Sequence, residues 1–309
     1  KRKDPTVSDI KLFQIDGDCV TELEGQSVAV EKSLQRLMER HLVDFLGVRF
    51  LASEFATSKD HRGRIDTLGI DENGSPVIIE YKRALNQNVI NQGLFYLDWL
   101  MDHQAAFTLQ VMNTLGPDVA ESSEWSSPRL VCIAGDFTRY DEHAIKQMNR
   151  NIELIRYRRY GDGMLLLELM GASQAEDTTA QGVSEPGTKP TYKTQREYYE
   201  QAPQDLKDRF EALSAFLQAL GEDVQVKWLK YYIAFRRLKN FATANVRPQA
   251  GTIVLYVPLD PDEIALEPGF TRDVREIGIH GTGDREITIR SDEDLERAKP
   301  LLIKSYETN

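Results

Sequence analysis

The chain has 309 residues, 38 basic against 49 acidic side chains and a formal net charge of −11. That length exceeds one ordinary hydrophobic core and predicts two domains. The acidic balance excludes a protein that holds nucleic acid by bulk positive charge alone. Residues 1–172 carry 20 basic and 26 acidic side chains, so neither half is a basic module, although carboxylates gathered around a divalent cation can coexist with a locally basic groove. Two cysteines, Cys19 and Cys132, and five histidines offer no disulfide framework and no zinc-ligand spacing. No apolar run reaches the length of a membrane span, and the Lys-Arg-Lys start leads into polar sequence, so no membrane partner and a cytoplasmic location are expected.

In chain order, Ala29 to Leu46 places Leu34, Leu37, Met38, Leu42, Phe45 and Leu46 at helical spacing. Ile65–Ile70 and Pro76–Tyr81 are short apolar runs around Asp71-Glu72-Asn73-Gly74, whose Asn-Gly pair predicts a tight hairpin turn. Helical spacing returns from Asn88 to His103. Leu130–Ala134 reads as a buried strand, and Arg156–Tyr160 with Met164–Leu167 as a second hairpin turned at Gly161-Asp162-Gly163. These elements predict an α/β domain over 1–172, a mixed sheet flanked by helices. From 173 to 191 the composition predicts a flexible linker. Beyond it, a helix over Gln201–Leu220 with Gly221 as its C-cap precedes strands at Val224–Trp228, Tyr231–Phe235, Asn240–Val246, Thr252–Val257 and Glu286–Ile289. Ser291 and Asp294 cap a last helix running through Lys304, which makes 192–309 a small α+β domain.

The chemistry concentrates in Gly63-Arg64-Ile65-Asp66-Thr67 and Val77-Ile78-Ile79-Glu80-Tyr81-Lys82-Arg83. Strand alternation puts Glu80 and Lys82 on one face, and hairpin pairing brings Asp66 toward it. A lone Glu-x-Lys is usually a surface ion pair. Here it closes a strongly apolar strand beside a second acid, so two hard oxygen ligands converge with one ammonium. Mg²⁺ or Mn²⁺ is the expected occupant, held by Asp66 and Glu80 with the backbone carbonyl of Tyr81 as a further ligand. Lys82 would orient or deprotonate an attacking water and neutralise charge on a phosphorane.

These residues resemble the PD-(D/E)xK nuclease superfamily, with Asp66 as its first acid, preceded by Ile65 where Pro is usual, and Glu80-Tyr81-Lys82 as its second motif. Gln92 and Tyr96 match the Gln-x-x-x-Tyr motif of the RecB-like branch, and residues 28–105 are similar to the nuclease domain of archaeal and actinobacterial mismatch endonucleases. The resemblance implies a restriction-endonuclease-like fold and a Mg²⁺-dependent endonuclease acting on DNA, in repair or anti-phage defence, with RNA as the other substrate class. It implies supporting catalytic roles for Gln92 and Tyr96 and nominates Glu39, then Glu31, as an additional metal acid. Cutting both strands of a duplex would favour a homodimer. A nuclease-derived module that binds nucleic acid or protein without cutting is the alternative. Arg62, Arg64 and Arg83 are expected to touch nucleic acid, and with Lys82 they would form a basic rim with Arg156, Arg158 and Arg159 if the two hairpins lie side by side.

Residues 192–309 resemble a domain of uncharacterised function that often follows such nucleases. In it, Lys227 to Tyr232 and Phe235-Arg236-Arg237 either bind single strands by stacking or, the favoured reading, supply ordinary core aromatics. The loop Gly278 to Asp284 reads as a tight turn because no helix start follows it. Cys132 is expected to be a core thiol, and His61 and His103 incidental.

Overall fold

A computed structural model of the chain describes residues 10–26, 31–57, 63–82, 89–161, 163–175 and 193–309. The chain divides into two compact units, with the change-over between Ala180 and Gln181; nearly all of the expected linker lies outside the described residues. Among those residues, no helix is long and apolar enough to cross a membrane.

The first unit is an α/β domain. Its elements are β1 (Leu12–Asp16), β2 (Cys19–Leu23), β3 (Gly25–Gln26), α1 (Glu31–Arg40), α2 (Leu42–Leu46), β4 (Val48–Ala56), β5 (Arg64–Asp71), β6 (Pro76–Lys82), α3 (Val89–Asp102), α4 (Gln104–Leu115), α5 (Pro117–Glu121), β7 (Arg129–Ala134), α6 (Arg139–Ile145), β8 (Asn151–Tyr160) and β9 (Met164–Ser173). β1 and β2 form a separate hairpin. The mixed sheet runs β3-β8-β7-β6-β5-β4, with β9 also paired to β8. β6, β7 and β8 are mutually parallel, and β4, β5 and β6 antiparallel. Val77 to Tyr81 is buried on both faces, which explains why β6 reads as a continuous apolar run rather than an alternation. Leu97 and Leu100 of α3 share a core with Ile78, Leu130 and Cys132, whereas Glu39 of α1 bonds Thr67. Alternation therefore puts α3 and α1 on opposite faces.

Three local expectations are corrected. The first helix is interrupted at His41, whose N–H is shared between the carbonyls of Leu37 and Met38, and it resumes as α2. The β5–β6 turn is wider than a two-residue hairpin: Asp71 N–H donates to the Ser75 carbonyl, and only Gly74 in the Glu72-Asn73-Gly74 loop has a positive φ, +80°. That is the longer loop closed by a left-handed glycine, and the Ser122 carbonyl would lie 2.7 Å from a Cβ at Gly74. The two hairpins are not neighbours, because β7 lies between β6 and β8.

The intervening strand carries an unexpected buried charge. Arg129, at the start of β7, donates to Asp71 Oδ2 at 2.9 Å and to Glu153 Oε2 at 2.8 Å, and all three side chains are buried. Burial opposes the charged guanidinium, but Glu153 and Asp71 outweigh it and hold the Arg129 pKa above the ordinary arginine value. Asp71 also accepts from the N–H groups of Asn73 and Ser75, so one carboxylate shapes the turn and joins β5 to β7 and β8.

The second unit is an α+β domain of α7 (Gln195–Glu200), α8 (Gln204–Gln218), β10 (Gln225–Trp228), β11 (Ile233–Arg236), β12 (Asn240–Arg247), β13 (Thr252–Val257), β14 (Thr271–Asp273), β15 (Arg285–Ile289) and α9 (Asp292–Thr308). The sheet is antiparallel in the order β10-β11-β12-β13-β15-β14. Leu206, Phe210, Leu213 and Leu217 of α8 and Leu295, Ala298 and Leu302 of α9 cover one face. Ser291 caps α9 by accepting from Asp294 N–H, as expected. α8 ends earlier than expected, with Ala219 as its C-cap; Gly221 instead lies where the Tyr306 hydroxyl packs closest.

Removing the Arg129 guanidinium leaves two carboxylates buried without their cation. Arg129→Ala should lower unfolding stability by about 3–5 kcal/mol. Arg158→Ala, at a partly exposed position, should stay within about 0.5 kcal/mol. Chemical denaturation of the two variants checks this; equal effects would remove the buried ion triad from the account of stability.

Candidate active site

The β5–β6 ladder stops at the Thr67–Ile79 pair. Beyond it the strands are joined by side chains: Asp66 N–H donates to Glu80 Oε1 at 3.1 Å, and Tyr81 N–H donates to Asp66 Oδ2 at 3.0 Å. Each carboxylate thus takes the place of a backbone carbonyl, and the two acids face each other where the ladder ends. The pairing foreseen for Asp66 and Glu80 is present, but it is made by this exchange rather than by simple strand alternation.

Glu80 has 0% exposure, and its Oε2 has no hydrogen-bond partner. Burial, then the charge of Asp66, pushes its pKa up to about 8. In the absence of a cation the carboxyl is protonated at neutral pH. An unpartnered buried oxygen beside a second carboxylate is the donor set a hard divalent ion uses, so the residues present fit Mg²⁺ or Mn²⁺. Among the described residues no three His, Cys, Asp or Glu side chains gather closely enough to hold a metal, so any such ion would rely on two carboxylates completed by the backbone, water or phosphate. Lys82, two residues beyond Glu80, is half-buried.

Gln92 and Tyr96 act together on the scaffold. Gln92 Nε2 and Arg64 N–H both donate to the Tyr96 hydroxyl, each at 3.2 Å, which fixes the start of β5 two residues before Asp66. Gly63 permits this approach, since a Cβ there would lie 2.4 Å from Tyr96 Cε1. Glu39 accepts from Thr67 Oγ1 at 2.7 Å and from Gln35 Nε2 at 3.0 Å; it completes no three-carboxylate cluster with Asp66 and Glu80. Arg64 is exposed and paired with Glu54 at 3.3 Å. Arg62 and Arg83 lie outside the described residues, as does His61, and the side chain of Glu31 is likewise not described.

Arg156 does not join the expected basic rim. Arg156 is buried and bonded to Glu168 at 3.0 Å and to Asp136 at 3.4 Å. His103 has a structural role, stacked on Trp99 with its Nδ1 2.8 Å from the Trp99 carbonyl oxygen. Cys132 is the expected core thiol; burial, then nearby Glu80, raises its pKa.

Two residues enter the site that the sequence reading did not single out. Gln35 is buried and its Nε2 donates to the Asp66 carbonyl at 2.7 Å and to Ser53 Oγ at 3.2 Å as well as to Glu39, tying α1 to the strand that bears the first acid. Its signal was an amide next to Leu34 on the buried stripe of a helix. Glu54 lies between the Ser53–Thr67 and Phe55–Ile65 pairs, opposite Asp66. It has φ +52°, alone among described non-glycine residues in its positive φ, and its charge adds to the rise in the Glu80 pKa. A left-handed backbone at a non-glycine residue costs about 1–2 kcal/mol, and such strain concentrates at functional sites.

Comparison with known proteins gives two kinds of likeness. Residues 195–309 match the family described as Domain of unknown function (DUF5655). The chain is 26% identical over 306 residues to an uncharacterized protein of Haemophilus influenzae, covering 96% of this chain and 100% of that protein, so the likeness extends through both units. Among solved structures, a repair endonuclease from Pyrococcus abyssi is 17% identical with a TM-score of 0.28, covering 41% of this chain and 46% of its own. SfsA from Pyrococcus furiosus, in complex with Ca²⁺, is 13% identical with a TM-score of 0.24, covering 47% and 63%. The chain spans less than two thirds of either structure.

The raised Glu80 pKa has a definite sign in stability. The folded state keeps a proton up to about pH 8, whereas an unperturbed glutamate releases it near 4.5. The stabilisation is therefore complete below about pH 4.5, declines as pH rises and is gone above about 8. In EDTA, the stability difference between wild type and Glu80→Gln should shift against the wild type from pH 5 to pH 8 and then level off. A difference independent of pH in a denaturation series would show that Glu80 ionises normally. Glu54→Gly should cost no stability, whereas Glu54→Val should cost about 1–2 kcal/mol; equal stabilities for the two would discount the left-handed backbone.

Proposed function

We propose that the N-terminal domain is a metal-dependent endonuclease of the PD-(D/E)xK type that hydrolyses phosphodiester bonds in DNA. The observation that supports it most directly is the exchange between Asp66 and Glu80, which presents two carboxylates at the end of a splayed strand pair with one buried oxygen of Glu80 unpartnered.

A bound Mg²⁺ or Mn²⁺ supplies Lewis-acid polarisation of the phosphate and a more acidic water. Asp66 and Glu80 would hold such an ion through carboxylate oxygens, with the backbone carbonyl of Tyr81 as a further ligand. Lys82, whose charge acts on Glu80, would orient or deprotonate the attacking water and neutralise the negative oxygens of the phosphate with its ammonium. Gln92 and Tyr96 hold Arg64, and through it the strand position of Asp66. Gln35 holds the Asp66 carbonyl. These are positioning residues.

The test is cleavage of labelled single-stranded, duplex, branched and mismatched DNA, and of RNA, with Mg²⁺, Mn²⁺ or EDTA. Cutting should require the divalent ion and fall about a hundredfold or more in Asp66→Ala and in Lys82→Ala. Tyr96→Phe, which loses its hydroxyl acceptor but keeps its ring, should cut more slowly with an unchanged metal requirement. Retained cutting in both the Asp66 and Lys82 variants sinks the assignment. Binding of a nucleic acid without cutting by the wild type in either ion would make the domain a non-catalytic binding module.

A further inference from the structure

The second unit contains a cavity of about 700 Å³, a size typical of small-molecule sites. Two stretches conspicuous in the sequence meet in its wall: Tyr231 from the aromatic and basic cluster, and Gly278, Ile279 and His280 from the glycine-rich loop. Within that cluster the exposed Lys230 lies with its Nζ 5.0 Å from the Tyr231 ring centroid, and other members are structural. Trp228 packs edge-on against Tyr199 and Phe210, and Phe235 and Arg236 are buried. Tyr231 stays 37% exposed. The His280 ring stacks on it, with centroids 4.9 Å apart and planes inclined by 22°. The loop is fastened by Thr282 N–H donating to Thr243 Oγ1 and by Asn240 Nδ2 donating to Thr282 Oγ1, each at 3.1 Å. The ring pair is therefore held at the cavity by the sheet.

Charge and hydrogen bonding narrow the ligand. Lys193 and Arg247 line the cavity and, among the described residues, no Asp or Glu does, although the chain as a whole is acidic. Arg247 is exposed and its Nη2 donates to the Tyr256 hydroxyl at 3.2 Å, which orients the guanidinium. Asn245 donates Nδ2 to the Tyr231 carbonyl at 2.7 Å, while its buried Oδ1 has no partner. Arg247 also lines an adjoining cavity of about 480 Å³ that includes Arg272, Arg290 and Glu286; Glu286 accepts from Arg272 Nη2 at 2.7 Å, so the cations of this second cavity outnumber its carboxylate by three to one. A simple anion would use the cations and leave the rings unused, and an apolar ligand would do the reverse. A planar base carrying a phosphate uses both.

We propose that this cavity binds a nucleotide unit, with the base extending the Tyr231–His280 stack and the phosphate on Arg247 and Lys193. The unit is either a free nucleotide or the end of a single strand, for which Arg290, on the adjoining cavity, would meet a second phosphate. This assignment is independent of the nuclease site.

The experiment is calorimetric titration of the full chain with AMP, adenosine and a short oligothymidylate, in EDTA so that no divalent ion occupies the first unit. AMP or the oligonucleotide should bind, and adenosine should bind more weakly than AMP. Tyr231→Ala and Arg247→Ala, both at exposed positions, should each weaken binding about tenfold or more with unchanged melting temperatures. An oligonucleotide that binds about tenfold tighter than AMP, with the gain lost in Arg290→Ala, identifies a strand end. Equal affinities identify a free nucleotide. Absence of binding by every probe at millimolar concentration, or binding unaltered in both variants, overturns the proposal.

Discussion

Where β5 and β6 part beyond the Thr67–Ile79 pair, the N–H groups of Asp66 and Tyr81 need acceptors, and a buried amide left unbonded costs about 1–3 kcal/mol. The two carboxylates meet that need, each accepting from the opposite strand. One constraint thereby fixes both the end of the ladder and the placing of the acids. It also explains why Glu80 is buried: its Oε1 is structural, which leaves Oε2 to supply chemistry. Gln35, holding the Asp66 carbonyl, and Tyr96, holding Arg64 N–H, restrain the same strand from either side, so the geometry of Asp66 rests on elements from opposite faces of the sheet.

The central acids were legible because they lie on short strands next to each other in sequence, where a period of two and a Gly-containing turn leave few arrangements. Residues whose role depends on distant partners were not. Arg129 was not singled out and Arg156 was expected on a basic rim, yet both are buried, because Asp71, Glu153 and Glu168 arrive from other strands. Glu54 was hidden for a different reason: β4 carries a register irregularity between Phe50 and Ala52 and a left-handed residue, so its apolar positions do not alternate. The break at His41 was equally invisible, since the apolar spacing continues through it into Leu42 and Leu46.

In the second unit five of the six strands were readable to within a few residues, because an antiparallel sheet covered on one face by α8 and α9 keeps a clear pattern; the three-residue β14 is too short to show one. What the pattern could not sort was the use of each aromatic. Trp228 and Tyr231 are three residues apart in the same basic cluster, but one completes a core of rings and the other borders a cavity. That division is decided by where β10 ends and by the fastening of the loop bearing His280, both tertiary outcomes.

The Arg129 triad has a mechanical consequence. It joins β5, β7 and β8 at the turn end of the hairpin, whereas beyond the Thr67–Ile79 pair β5 and β6 are joined by side-chain hydrogen bonds in place of the backbone ladder. The strand pair therefore works like tongs with a locked pivot and a lightly fastened tip. Anything that enters at the tip meets jaws whose spacing can adjust while the pivot, and the sheet behind it, stay still.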